Sequence, residues 1–395
     1  MAIAKKIESS MSQASWIRKM FEEGMRMKKE FGEDQVYDFS LGNPILEPPE
    51  AFQRALRQVI EQAGIHRYMP NAGYPDCRAI VAEHLRQEIG AAVQGEDITM
   101  VCGAGGGLNV SLKALLDPGD EVLVIAPYFP EYRFYADNHG GSLVIAQSTE
   151  DFDLDLQEID KALTARTKVV LINSPNNPTG RVYSASRLRE LGELLERKEG
   201  VFGHPITLLS DEPYRKIVYD GVKTAPVFAA HRNSIMITSH SKDLGLAGER
   251  IGYGVISPEH QDRLALRQAM TFTNRTLGFV NAPGLFQKAI AQSQDACVPI
   301  SVYRELRDIF CQGLEEAGLQ IERPQGAFYL FPRAPIDDDV AFVQLLLKQR
   351  ILAVPGAGFG RKGHFRVCYC VTEREIRGSL PGFKQVIQEA RSRKT

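Results

Sequence analysis

Lys242 stands in a setting suited to amine chemistry. The stretch from Ser239 to Arg250 reads SHSKDLGLAGER and follows an apolar run, Ser234–Thr238, with the pattern of a buried strand. Two hydroxyls, on Ser239 and Ser241, flank the primary amine of Lys242 on its N-terminal side. Arg250 follows, past two glycines that let the chain turn sharply. An amine at the mouth of a strand can form a Schiff base with an aldehyde, while hydroxyls and a guanidinium hold a phosphate. The stretch could therefore carry a phosphorylated aldehyde. A surface lysine in a polar loop is the plain alternative.

A second anion site is suggested upstream. Ile98–Cys102 reads as a strand, Gly103–Gly107 (GAGGG) as a glycine turn, and Leu108–Leu116 as a helix. Strand, turn and helix N-terminus together make a cup of backbone N–H groups. The spacing matches neither a dinucleotide fingerprint nor a P-loop. A single phosphate suits it, and a tight turn without a ligand is the other reading. Gly42, opening the turn Gly42–Pro44 after a short strand, could let backbone approach a ligand or merely reverse the chain. The loop His66–Pro75, rich in turn residues and tyrosine, could contact a ligand or only pack.

These groups need a scaffold. Apolar runs recur at 121–126, 142–146, 168–173, 205–210, 234–238 and 252–256, several separated by helical pattern, notably 184–198. Such alternation predicts an α/β fold: a large domain with a mostly parallel seven-stranded sheet covered by helices. Ligands of such sheets bind beyond the carboxyl ends of the strands. Tyr128, Asn177, Asp211, Tyr214 and Lys242 all fall there. Helices are expected over 15–31, 50–64, 76–88, 337–349 and 382–392, and a long, mostly helical stretch over 280–317. Past 285 the texture becomes that of a smaller α+β domain. The expected division is 1–45 as an N-terminal arm and part of the small domain, 46–285 as the large domain, and 286–395 as the small one.

Composition narrows the function classes. The chain has 395 residues, beyond the size of about 250–300 at which single cores stop growing, so two domains are expected. Its apolar and charged fractions, 44% and 24%, are those of an ordinary globular protein. A formal net charge of -2 without a basic block gives no support for nucleic-acid binding. No apolar run reaches membrane-spanning length, and the N-terminus lacks the apolar region of a signal peptide, so a cytoplasmic protein is expected. The six cysteines form no CxxC, three of them lie in strand-like runs, and no HExxH occurs. Neither a disulfide framework nor a metal is expected.

Four segments then belong together: Asn173–Gly180 (NSPNNPTG), Ser210–Tyr214 (SDEPY), the lysine stretch, and Arg366 in the apolar run Phe365–Cys370. The ordered set resembles the fold-type I pyridoxal-phosphate enzymes. In particular it resembles the class I/II aminotransferases related to aspartate and aromatic aminotransferases, over residues 35 to 390. The resemblance implies pyridoxal 5'-phosphate as cofactor, an L-amino acid and a 2-oxo acid as substrates, and a homodimer with shared active sites. Lys242 would be the Schiff-base anchor and proton shuttle, and Asp211 the carboxylate that keeps the pyridine nitrogen protonated. Asn177 and Tyr214 would donate to the ring oxygen, with Tyr128 stacked on the ring and Phe129 as its competitor. Backbone N–H groups of Ala104 and Gly105, the hydroxyls of Ser239 and Ser241, and Arg250 would hold the phosphate. Tyr68 would reach the phosphate of the neighbouring subunit, local packing being its alternative. Arg366 would clamp the substrate's α-carboxylate, with Asn177 and the backbone of Gly42 assisting.

The substrate side chain is less determined. Some members carry a lysine where this chain has Gly105, and others present an arginine across the subunit boundary with a spacing that Arg275 does not share. Trp16, Met20 and Phe21 of the N-terminal arm could form an apolar lid. A neutral or aromatic amino acid with 2-oxoglutarate as acceptor is therefore expected, with aspartate as the alternative. A lyase of the same fold, of the β-C–S or aminocyclopropane-carboxylate synthase type, shares this cofactor shell. A non-catalytic regulatory protein of the same fold is a more distant alternative.

Overall fold

The computed structural model describes residues 2–12 and 16–392. Seven strands form one sheet: β1 (Ile98–Val101), β2 (Glu121–Ala126), β3 (Ser142–Gln147), β4 (Thr167–Asn173), β5 (Thr207–Asp211), β6 (Ser234–Ser239) and β7 (Gly252–Ile256). Their order is β1-β7-β6-β5-β4-β2-β3, and only β7 runs against its neighbours. β2, β5 and β6 are buried along their whole length. This is why their apolar residues stand consecutively instead of alternating with polar ones: helices cover both faces of a parallel sheet. The chain moves outward from β2 to β3, then crosses to the other side of β2 and continues through β4, β5 and β6. That reversal opens a crevice beyond the carboxyl ends of β2 and β4.

A second core gathers Phe39 with Tyr303, Phe310, Phe342, Phe365 and Phe383. Its sheet is antiparallel, ordered β9-β10-β8, from β8 (Tyr329–Leu330), β9 (Val354–Pro355) and β10 (Phe365–Cys368). Tyr37–Asp38 pairs in parallel with Ile351–Leu352, which ties the segment before Gly42 to this unit. The helix Trp16–Phe31 buries Met20 and Met27. Ser15, the first residue of the helix expected there, lies outside the described residues. Among the described residues, no helix is long and apolar enough to cross a membrane.

Three elements differ from expectation for identifiable reasons. The helix after β1 begins at Gly103, not after the glycines, and runs to Leu115. The glycines serve close packing: a Cβ on Gly107 would stand 2.7 Å from Ile237, and one on Gly105 would stand 3.0 Å from the Tyr135 hydroxyl. The long, mostly helical stretch expected over 280–317 consists of two helices, Gly284–Ala291 and Ile300–Glu316. Between them the Val298 N–H donates to the Asp243 carbonyl at 2.7 Å, binding the connection to the lysine loop. The last helix starts at Glu373 and passes through Pro381. Proline cannot donate to the Arg377 carbonyl, but both residues lie on the exposed face, where water can serve.

Candidate active site

A cavity of about 280 Å³ lies beyond the carboxyl ends of the sheet strands. Gly42, Ala104, Gly105, Asn177, Asp211, Tyr214, Ser239, Ser241, Lys242, Arg250 and Arg366 all line it. They come from distant parts of the sequence, each from a strand end, a helix N-terminus or the loop beyond one.

Asp211 ends β5, with its side chain buried. Its Oδ2 accepts from the Tyr132 hydroxyl at 2.6 Å, and its Oδ1 has no partner among the described residues. Burial raises its pKa to about 7, and only the Tyr132 bond opposes that. The neighbouring Glu212 turns the other way, accepting from Ser210 at 2.7 Å and pairing with Arg215 at 3.4 Å. One buried carboxylate oxygen is thus left for a cation.

Lys242 donates to the Gly42 carbonyl at 3.0 Å and lies 5.5 Å from the centre of the Phe328 ring. Burial lowers its pKa to about 8, favouring the neutral amine a nucleophile needs. Ser239 and Ser241 lie side by side, their hydroxyls 3.2 Å apart. Arg250 adopts a left-handed φ of 54° that returns its guanidinium toward the helix N-terminus. A Cβ on Gly103 would stand 2.6 Å from it. Hydroxyls, guanidinium and unpaired helix N–H groups therefore converge, as an anion requires.

Arg366 is 2% exposed. It donates to Asn177 Oδ1 at 3.0 Å and to the Ser40 carbonyl, both neutral, and its Nε has no partner among the described residues. Because a guanidinium only donates, Asn177 must present its oxygen to Arg366, which leaves its NH₂ for the cavity.

Several placements change the sequence reading. Tyr128 does not line the cavity, whereas Phe129 does. The Tyr128 N–H donates to the Phe359 carbonyl, and its ring packs at Gly360. Phe129 thus takes the position at the cavity wall. Tyr132 and Tyr135 also line it, unforeseen. The recurrence of aromatics at 129, 132 and 135 after a strand was the available signal. Ile17 lines the cavity, while Trp16 packs at Gly358 and Met20 in the second core; neither they nor Phe21 line it. Arg275 lies in a different groove, over the Phe272 ring. Tyr68 is 94% exposed and outside the cavity.

Known proteins share this arrangement. Residues 34–380 match the family model described as aminotransferase class I and II. A probable aspartate/prephenate aminotransferase of Thermus aquaticus is 33% identical over 370 residues, covering 88% of this chain and 90% of the relative. An amino transferase structure from Eubacterium rectale superposes with a TM-score of 0.95 at 37% identity, covering 98% and 99% of the two chains. Thermus thermophilus aspartate aminotransferase with maleate gives 0.87 at 28% identity, covering 98% and 100%. The chain belongs to the class I and II aminotransferases. It is a pyridoxal-phosphate-dependent aminotransferase that acts on an amino acid and a 2-oxo acid.

The residues present fit that cofactor. The unpartnered Asp211 Oδ1 suits a protonated ring nitrogen, and the donors around Arg250 and the Gly103 helix suit a phosphate.

Proposed function

We propose that this aminotransferase takes the amino group from a neutral or aromatic L-amino acid and passes it to a 2-oxo acid such as 2-oxoglutarate. The observation that carries the substrate class is the lining of the cavity. Ile17, Leu41 and Phe129 contribute apolar surface there, and the Tyr135 hydroxyl sits over Gly105. Among the described residues lining the cavity, the cations are Lys242, Arg250 and Arg366. The first two have other tasks, so within one chain Arg366 is the cation left for a substrate carboxylate.

Pyridoxal phosphate supplies, when bound, an electron-withdrawing ring that stabilises negative charge at the substrate's α-carbon. The chain's own groups do the rest. Lys242 holds the cofactor and then moves the α-proton as base and acid, a task that suits an amine titrating near neutrality. Asp211 keeps a proton on the ring nitrogen. Asn177 and Tyr214 donate to the ring oxygen, and Phe129 covers the ring face. Ala104, Gly105, Ser239, Ser241 and Arg250 hold the phosphate. Arg366 and Asn177 hold the α-carboxylate, with Gly42 beside them. The exposed Tyr68 supports a homodimer in which it reaches the partner's phosphate.

The test is to give the cofactor-loaded protein one L-amino acid at a time, without 2-oxo acid. Leucine or phenylalanine should release about one 2-oxo acid per site and then stop, with aspartate slower. Continuous release with ammonia would make the protein a lyase, and faster release from aspartate would overturn the substrate class. Lys242→Ala should release none.

A further inference from the structure

Tyr329 belongs to the segment Gly326–Phe331, to which the roles above give no task. Its side chain is 3% exposed and lines the cavity. It touches three of the groups assigned above. Its hydroxyl lies 2.8 Å from that of Tyr214, and either oxygen can donate. The Arg366 guanidinium lies over its ring at 4.7 Å. A Cβ on Gly42 would overlap its hydroxyl, so Gly42 is shaped to admit it.

The backbone holds Tyr329 firmly. It pairs with Cys368 in the antiparallel sheet, two residues from Arg366. Upstream, a Cβ on Gly326 would stand 2.7 Å from the Ile217 carbonyl and 2.8 Å from Pro175. Phe328 packs edge-on against Tyr214 at 5.3 Å. A side chain so fixed can set the orientation of a neighbour.

We propose that Tyr329 is a positioning residue that acts through Tyr214: its hydroxyl donates to the Tyr214 oxygen and so directs the Tyr214 proton into the cavity. A phenol has one proton. If Tyr214 donated to Tyr329, it would have none for a ligand. With the opposite polarity, the two hydroxyls form a donor chain ending at the cofactor's ring oxygen, and each bond strengthens the next. The Arg366 cation over the Tyr329 ring makes that phenol a better donor, which favours the same direction. The inference rests on the reading that Tyr214 donates to the ring oxygen.

The test follows the pH midpoint of the bound cofactor's visible absorption band, which a donor to the ring oxygen lowers. Tyr214→Phe should raise the midpoint by about one pH unit. Tyr329→Phe should raise it by about 0.3 unit, with the amino-acid KM within about threefold because the ring under Arg366 remains. In the Tyr214→Phe background, adding Tyr329→Phe should change nothing, a coupling that a packing role would not produce. The cofactor's dissociation constant gives a second readout: about a twofold weakening from Tyr329→Phe, only when Tyr214 is present. Equal effects of Tyr329→Phe with and without Tyr214, or none in either, overturn the inference while leaving the Tyr214 assignment standing. An unmoved midpoint in Tyr214→Phe alone overturns both.

Discussion

Asp211 should leave a pH signature on the stability of the cofactor-free protein. Its pKa rises from the ordinary 3.8 to about 7, because burial penalises the charged form more than the Tyr132 bond rewards it. Above pH 3.8 the unfolded chain gives up this proton and the folded chain keeps it. The contribution to stability is therefore complete below 3.8 and is lost as pH rises toward 7. At about 1.4 kcal/mol per pH unit, the whole loss is about 4 kcal/mol. Between pH 5 and 6.5, where one state is ionised and the other is not, it is about 2 kcal/mol. Urea unfolding of the cofactor-free wild type and of Asp211→Asn, at matched protein concentration, isolates this component, since all other groups are common to both. The wild type should lose about 2 kcal/mol more than the variant across that interval. With cofactor bound the difference should collapse, because a protonated ring nitrogen stabilises the carboxylate. Parallel profiles for the two cofactor-free proteins, within about 0.5 kcal/mol, would refute the reasoning.

Two further outcomes follow from contacts at the cavity. Arg366→Leu removes the guanidinium proposed to hold the α-carboxylate; two charge-assisted bonds at about 1.5–3 kcal/mol each predict a fall in kcat/KM of roughly 10² to 10⁴, checked by steady-state kinetics. Amines without a carboxylate should lose almost nothing in the same assay. Gly42→Ala forces a methyl into the Tyr329 hydroxyl and should cost about 1–3 kcal/mol of unfolding free energy, read by denaturant titration.

Much of the site was legible because strand ends are legible. Asp211, Asn177 and Lys242 each come after a run with the pattern of a buried strand, and a parallel sheet presents all such ends on one edge. What was not legible depends on partners far along the chain. Tyr128 and Phe129 are adjacent, and the turn between them is set by Phe359, more than two hundred residues away. Gly103–Gly107 has the composition of a turn, yet it is helical, and its glycines answer to packing: Ile237 and Tyr135 leave no room for a larger side chain at 107 and 105. Local propensity yields to packing there. Tyr132 is a related case: the aromatics recurring at 129, 132 and 135 mark the segment, but its partner, the Asp211 carboxylate, lies 79 residues away.

The unsatisfied atoms decide between a polar core and a binding site. Among the described residues lining the cavity, two buried groups keep an unpartnered polar atom: Asp211 through Oδ1 and Arg366 through Nε. Their ionised forms are of opposite sign, and a fold selected for stability alone could have paired them or replaced both with apolar groups. Instead each receives neutral partners that fix its orientation without neutralising it: Tyr132 for the acid, Asn177 and the Ser40 carbonyl for the base. The aromatic faces of Tyr329 and Phe359 lie 4.7 and 4.9 Å from the Arg366 guanidinium and stabilise it without consuming its donors. Such an arrangement costs stability until two ligands arrive, a cation at the acid and a carboxylate at the guanidinium. A protonated cofactor ring and the α-carboxylate of an amino acid meet those two demands at once.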